Sequence, residues 1–283
     1  MASSDSFNRF IFEEHDIRGE LVQLATSYLD VIGKKDYPDA VAALLGESMA
    51  AAVLLSGTLK FDGILSLQAK STGPISLLMA ECNQHRHIRA IAQWHQDQYA
   101  DCFQSQLSNG QLAITIDPKQ GQRYQGIVPM EQNTLAQCLE NYFEQSEQLE
   151  TFILLFADEE KAAGLMLQKL PQAKNKDEDA WNRLCQLAQS VTFDELKTLD
   201  AQEVIHRLFH EETVRLYPSE PVIFKCSCSR ERSANAIKSL GKADAYALLA
   251  QQKSIDIDCQ FCNEHYKFEL KDIDTLFSGP KVH

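Results

Sequence analysis

The chain has 283 residues, 44% of them hydrophobic, and a formal net charge of −13. That length allows more than one domain and a sizeable core, and a mean hydropathy of −0.29 fits a soluble globular protein. The acidic balance argues against a nucleic-acid surface, which needs clustered Lys and Arg.

From the N-terminus, Met1–Ser6 has neither a basic nor an apolar leader region, so a cytoplasmic location is expected. Phe7–Phe12 and Ile17–Val22 are short mixed runs separated by Glu13-Glu14-His15-Asp16, which predicts two strands. A helix over Leu24–Ile32, closed by Gly33, and a second from Pro38 to about Thr58 should follow. In the second, Val41, Leu44, Leu45, Met49, Ala52 and Val53 recur at helical spacing, so it should be buried against a sheet. Its apolar stretch, Val41–Leu55, is too short for a membrane span and contains Glu47. Strands are predicted at Ile64–Ala69, Ile75–Glu81, Ile88–Trp94 and Leu112–Ile116, with a hairpin return through Gln122–Val128. Thr134–Ser146 reads as a helix carrying Leu135, Cys138, Leu139, Tyr142 and Phe143 on one face, and Thr151–Phe156 and Gly164–Leu170 as two closing strands. Residues 1–171 should therefore be an α+β core domain.

Gln172–Asp179 is polar and charged, the composition of a linker. Three short amphipathic segments come next. Trp181, Leu184, Cys185 and Ala188 form one stripe, Phe193, Leu196 and Leu199 a second, and Val204, Ile205, Leu208 and Phe209 a third. Asp200 with Glu203 three residues on predicts a cap for the third. Isolated helices below about 12–15 residues are marginal in water, so these segments must lean on something. Pro218 and Pro221 close this linker, residues 172–221.

The last piece, residues 222–283, contains Cys226-Ser-Cys228 and, thirty residues later, Cys259-Gln-Phe-Cys262. Two thiol pairs at such spacing offer the four sulfurs that tetrahedral zinc needs. In a reducing cytosol paired cysteines favour metal or redox chemistry over a fixed disulfide framework, and four cysteines allow three disulfide pairings. Three features favour a switch over a purely structural zinc knob. A bridge across the single residue of Cys-x-Cys closes a very small ring, and strained bridges are the labile, regulatory kind. Arg230 and Arg232 place cations near the sulfurs, which favours thiolate, although they also suit a solvated helix start. Finally, Cys226 to the end is only 58 residues. Structural zinc contributes about 10–16 kcal/mol of apparent folding free energy, against whole-domain stabilities of about 5–15 kcal/mol. Metal loss should therefore unfold the module.

Phe224-Lys-Cys226-Ser-Cys228-Ser-Arg-Glu-Arg232 and Ile257-Asp-Cys259-Gln-Phe-Cys262 with Tyr266-Lys-Phe268 resemble the zinc module of the heat-shock protein 33 family of redox-regulated holdase chaperones. Arg207-Leu-Phe-His-Glu-Glu212 resembles the end of its linker. Gly121–Gly126, Tyr142–Leu149 and Gly164–Pro171 resemble its core domain. Glu150 stands where the family pattern calls for Pro, which affects a turn. The resemblance implies one zinc held by Cys226, Cys228, Cys259 and Cys262 in a reduced, inactive chaperone. It further implies that oxidation with unfolding stress forms Cys226–Cys228 and Cys259–Cys262 disulfides, releases zinc and unfolds the linker. Homodimers then form and unfolding client proteins are held without ATP, with no enzymatic role and no nucleic-acid or membrane partner.

Other residues read blandly. Cys82, Cys102, Cys138 and Cys185 suit small core or surface positions. His206 and His210 with Glu203 have a ligand spacing that no second cluster completes, and His85-Arg-His87 suits a turn between strands. No P-loop or GxSxG is present. A thiol–disulfide oxidoreductase using Cys259 and Cys262 is the alternative function. The pair follows a strand-like Ile255–Asp258, whereas such sites usually open a helix.

Overall fold

The computed structural model describes residues 5–57, 62–95, 102–170 and 179–278. The predicted helix end at Thr58, the domain end at Pro171 and the polar stretch 172–178 lie outside them. The fold is α+β, and its contacts divide the chain into Met1–Lys225 and Cys226–His283.

In the first unit β1 (Ser6–Phe12) and β2 (Ile17–Leu24) pair antiparallel, with Phe10 opposite Gly19. A Cβ at residue 19 would stand 2.0 Å from the Phe10 ring, so only glycine lets that ring lie flat on the sheet. Side chains alternate between faces. Phe7 and Val22 turn one way, Phe10, Phe12 and Leu21 the other. A helix α1 (Thr26–Ile32) and the long α2 (Asp39–Ser56) follow. Next come β3 (Gly63–Lys70), β4 (Ile75–Asn83) and β5 (His87–Trp94). One helical turn, α3 (Phe103–Gln106), leads to β6 (Gln111–Pro118) and β7 (Tyr124–Pro129). The helix α4 (Leu135–Tyr142), β8 (Thr151–Ala157) and β9 (Ala162–Lys169) complete the core.

Among the described residues β2 lies between β1 and β9, with β8 outside β9, in one sheet. The second sheet has the order β5-β4-β3-β6-β7. The helix α2 runs between the two sheets, touching β2, β8 and β9 on one side and β3, β4 and β5 on the other. Residues on every side of it are buried, Leu45, Met49 and Val53 completely. A helix apolar all round suits a core flanked on both sides, which is where the chain's one described stretch of span-like length and apolarity is placed.

The predicted helix at 134–146 is α only to Tyr142. Phe143–Glu147 is a π-helical turn, after which Gln148 takes a left-handed conformation (φ 55°) and Leu149 N donates to Phe143 O at 3.0 Å. Glu150, where the family pattern calls for Pro, pairs with Lys169 (Nζ–Oε1 2.7 Å) and accepts its backbone amide. An ion pair and a strand-end hydrogen bond hold this corner.

The three amphipathic stripes become α5 (Ala180–Gln189), α6 (Phe193–Thr198) and α7 (Ala201–Phe209). They lie on the face of the first sheet opposite α2, where Leu184, Ala188, Leu196, Val204, Leu208 and Phe209 bury against Phe10, Phe12, Leu21, Leu165 and Leu167. Phe209 meets Phe12 edge-on at 5.0 Å, and Phe193 stacks on Phe156 at 5.6 Å. Polar anchors add register. Gln23 donates to the carbonyls of Leu196 (2.6 Å) and Leu199 (2.8 Å), and Lys197 pairs with Asp158 at 2.8 Å. The chain then forms β10 (Val214–Leu216) and β11 (Glu220–Pro221), both along β1, and β12 (Ile223–Phe224), which runs parallel to β5. This tail thus joins both sheets.

In the second unit α8 (Arg230–Leu240) and α9 (Lys242–Gln252) precede a hairpin of β13 (Ile255–Asp258) and β14 (His265–Phe268), and α10 (Leu270–Phe277) ends it. Its core is small: Ile237, Ala245, Leu249, Ile255, Phe268 and Ile273.

Candidate metal centre

The four cysteines come from two short segments. Cys226 and Cys228 lie in the irregular chain just before α8, whose first turn is capped by Ser229 (Oγ accepting from Arg232 N at 3.1 Å). Cys259 and Cys262 lie in the turn of the β13–β14 hairpin. There Cys259 N donates to Glu264 O (2.9 Å), Asn263 N donates to Cys259 O (2.8 Å), and Asn263 is left-handed (φ 61°). The turn is tight, so both sulfurs face the same way.

Cys226 Sγ lies 3.6 Å from Cys259 Sγ, Cys228 Sγ lies 3.4 Å from Cys262 Sγ, and all four sulfurs fall within 4.8 Å of one another. Sulfurs bound at about 2.3 Å to one tetrahedral ion sit about 3.8 Å apart. The cluster therefore has the size of a four-cysteine zinc site, and its distances exceed a disulfide bond. All four cysteines are half-buried. Burial first, and then the hydrogen-bonding contacts of the neighbouring sulfurs, hold the Cys262 thiol well above the ordinary range. A dication among four thiols reverses that balance and holds them as thiolates. Among the described residues no other group of three or more potential ligands gathers this closely.

Neighbouring side chains fix the cluster. Tyr266 Oη donates to Cys228 Sγ at 3.2 Å, and that bond is the largest cause of its raised phenol pKa. The Glu264 amide hydrogen-bonds Cys262. Arg232 Nη1 donates to the carbonyl (2.9 Å) and hydroxyl (2.6 Å) of Ser227, the residue between the first two cysteines. Arg230 reaches Lys267 O (2.8 Å) and Asp272 (3.0 Å) and lies over the Phe268 ring at 4.4 Å. The two arginines read from sequence as nearby cations are thus braces: one on the Cys-x-Cys turn, one tying α8 to β14 and α10. Tyr266, quoted above only as part of a motif, was missed as a sulfur contact; its place four residues after Cys262 was the available signal.

The remaining candidates are not brought together. Cys82 is fully buried in β4, its thiol pushed up to about 11 by burial, and Cys138 is buried in α4. Cys185 is half-buried on α5, pushed up to about 12 for the same reason, and Cys102 is exposed. The rings of His206 on α7 and of His210 at its C-cap stand 6.1 Å apart, and among the described residues no further ligand gathers round them. His85 lies in the β4–β5 turn, as expected, and His87 opens β5. Cys259 and Cys262 occupy a hairpin turn and open no helix, which does not favour the oxidoreductase alternative.

The family model described as Hsp33 protein matches residues 5–269. The 33 kDa chaperonin of Ectopseudomonas mendocina is 53% identical over 283 residues, spanning 98% of this chain and 96% of the relative. That of Pseudomonas aeruginosa is 51% identical over 286 residues, spanning 99% and 96%. The crystal structure of the 33 kDa chaperonin of Thermotoga maritima superposes with a TM-score of 0.79 at 18% identity, over 96% of this chain and 97% of that one. The last likeness concerns the fold.

Proposed function

The chain belongs to the Hsp33 family of chaperones, and from that premise we propose that it is a redox-regulated, ATP-independent holdase of the cytoplasm. The observation that carries this reading is the gathering of Cys226, Cys228, Cys259 and Cys262 into one cluster of zinc dimensions. Cys226, Cys228, Cys259 and Cys262 would hold a zinc ion there, which would cross-link the Cys-x-Cys segment to the hairpin turn and supply folding energy beyond that of the six apolar residues buried among the described ones.

In the reduced state the four thiolates hold the module closed, with Tyr266 and Arg232 fixing their geometry. One sulfur of each pair attacks an oxygen of peroxide (or hypochlorous acid), breaking its O–O (or O–Cl) bond and releasing water (or chloride). The second sulfur then displaces the oxygen of the resulting sulfenic acid as water, so that each pair, having given up two electrons, closes as a disulfide, Cys226–Cys228 and Cys259–Cys262. The thiolates are then gone, and with them the metal site. The module unfolds for want of a core. Because β12 runs directly into Cys226, the end of the linker loses its fixed continuation. The helices α5–α7 leave the sheet, baring Phe10, Phe12, Leu21, Leu165 and Leu167 together with their own apolar faces. Such a surface binds unfolding clients, the oxidised chain dimerises, and the charge of −13 keeps the complexes soluble.

The test is aggregation of a heat-unfolded client, followed with reduced and with peroxide-treated protein. Suppression by the oxidised form alone supports the proposal. Equal activity of both forms, or catalytic reduction of insulin, contradicts it.

A further inference from the structure

A polar cluster with a buried centre, Arg86 and Glu20, and a half-exposed rim, Arg9 and Glu220, has no part in the sulfur chemistry. Arg86, in the turn between β4 and β5, is buried and stands in the left-handed backbone region (φ 57°), which non-glycine residues enter only when the surroundings demand it. Its Nη1 donates to the carbonyl and hydroxyl of Ser56 at the end of α2 (both 3.0 Å), and its guanidinium covers the Phe7 ring at 4.2 Å. Its Nε lies 3.1 Å from Glu220 Oε2 on the linker tail, in an ion pair without hydrogen-bond geometry. Glu220 Oε1 takes a hydrogen bond from Arg9 Nη2 at 2.9 Å.

The tail is anchored to the same turn through its backbone. Ile223 N donates to Arg86 O (3.0 Å), Tyr217 N to Arg9 O (2.9 Å) and Lys225 N to Ile88 O (3.0 Å). Glu20 of β2, a carboxyl group 1% exposed, lies at the same place: a Cβ on Gly57, the residue after Ser56, would stand 2.7 Å from the Phe7 ring and 2.8 Å from Glu20 Oε1. Its Oε2 has no hydrogen-bond partner, as is true of Arg18 Nε among the buried atoms. The charges around Glu20 are Arg18 on its own strand, Arg9 on β1, Arg86 from the β4–β5 turn and Glu220 from β11; the Cys82 thiol of β4 also feels Arg86 and Glu220.

We propose that Arg86 is a latch for the linker tail, ion-paired to Glu220 of the tail and close to the buried Glu20 of the core without pairing with it, so that the charge on Glu20 sets how tightly residues 214–224 are held. With Glu20 neutral, Arg86 and Arg9 serve Glu220 alone and the tail is held against both sheets. With Glu20 ionised, two carboxylates face the same cations and repel each other. A charged group walled off from water then gains by lifting the tail and becoming hydrated. Burial, the largest influence on Glu20, already raises its pKa from 4.5 to about 7 against the pull of three arginines. The switch therefore works around neutral pH. Mild acid tightens the tail and mild alkali loosens it. It belongs to the reduced protein and does not depend on disulfide formation.

Hydrogen exchange of the reduced full-length chain, corrected for intrinsic chemistry, tests this at about pH 6 and about pH 8. If Glu20 titrates near 7 when the tail is closed and near 4.5 when it is open, protection of residues 214–224 should fall about tenfold between the two conditions. Protection of β3, the internal reference, should not change. Glu20→Gln keeps the shape of the neutral acid and should abolish the fall. Glu220→Gln should lower tail protection at both pH values with β3 unaffected. A Glu20→Gln protein that keeps the wild-type pH profile overturns the proposal. So does a pH effect equal in β3 and the tail, or a Glu220→Gln tail as protected as wild type.

Discussion

At the scale of single residues, the contacts on the sulfurs are the most consequential. The Tyr266 hydroxyl stabilises a Cys228 thiolate by donating to it, and removing such a supporting bond costs about 10–100-fold in metal affinity. Tyr266→Phe should weaken zinc binding by that order, read by competition with a colorimetric chelator; unchanged affinity would mean the bond forms only in the metal-free cluster. Glu20 gives a prediction in pH. Its proton is held more tightly in the fold, near 7, than in the unfolded chain, near 4.5. The stability it contributes is therefore full below about pH 4.5 and is lost as pH rises through about 7, by up to about 3 kcal/mol. Glu20→Gln should melt close to wild type at about pH 5 and above it at about pH 8. Melting at or below wild type at the higher pH would show that the arginines hold the carboxylate charged.

These residues also mark the limit of sequence reading. The four cysteines stand out by type and spacing. Arg86, Glu20 and Glu220 do not, because they are separated in sequence by up to two hundred positions and meet only once both sheets have formed. Arg230 and Arg232 stand out as charges close in sequence to the cysteines, but the groups they brace, Lys267 O and Ser227, follow only from the folded module.

Among elements, periodicity carried most of the information. The stripe in α2 predicted burial against a sheet, and the structure supplies two sheets because the helix is apolar on every side. Asp200 and Glu203 form the expected reciprocal cap of α7, at 2.9 and 3.0 Å. Thr192 and Glu195 cap α6 in the same manner, a Thr-x-x-Glu signal present in the sequence and passed over. The strands β10–β12 escaped because two or three residues have no period, and they owe their form to pairing with β1 and β5. The π-helical turn after Tyr142 was also invisible, since the same apolar positions serve either helix.

Docking of α7 rests on Leu208 and Phe209, both nearly fully buried. Phe209→Ala removes the ring that meets Phe10 and Phe12 and should cost about 3–5 kcal/mol of that packing. Limited proteolysis between residues 172 and 225 should then accelerate without oxidant, with holdase activity appearing in the reduced protein. A cleavage pattern identical to wild type would show that α7 docking does not restrain the linker.

For the molecule as a whole, the two units differ in what sustains them. Met1–Lys225 has two sheets closed over a central helix and a second apolar layer under α5–α7. Cys226–His283 has, among its described residues, six buried apolar side chains and the four sulfurs. Removing the metal should unfold the second and leave the first folded. Cys262→Ser, which deletes one ligand, should behave as a partly activated chaperone without oxidant; a variant silent under every condition would count against module release as the trigger. The most direct measurement is zinc content and free thiols on the same samples, before and after peroxide at elevated temperature. The account predicts one zinc per reduced chain, and loss of that zinc together with four thiols on oxidation. Reduced protein without stoichiometric zinc, or oxidised protein that retains it, would contradict the account.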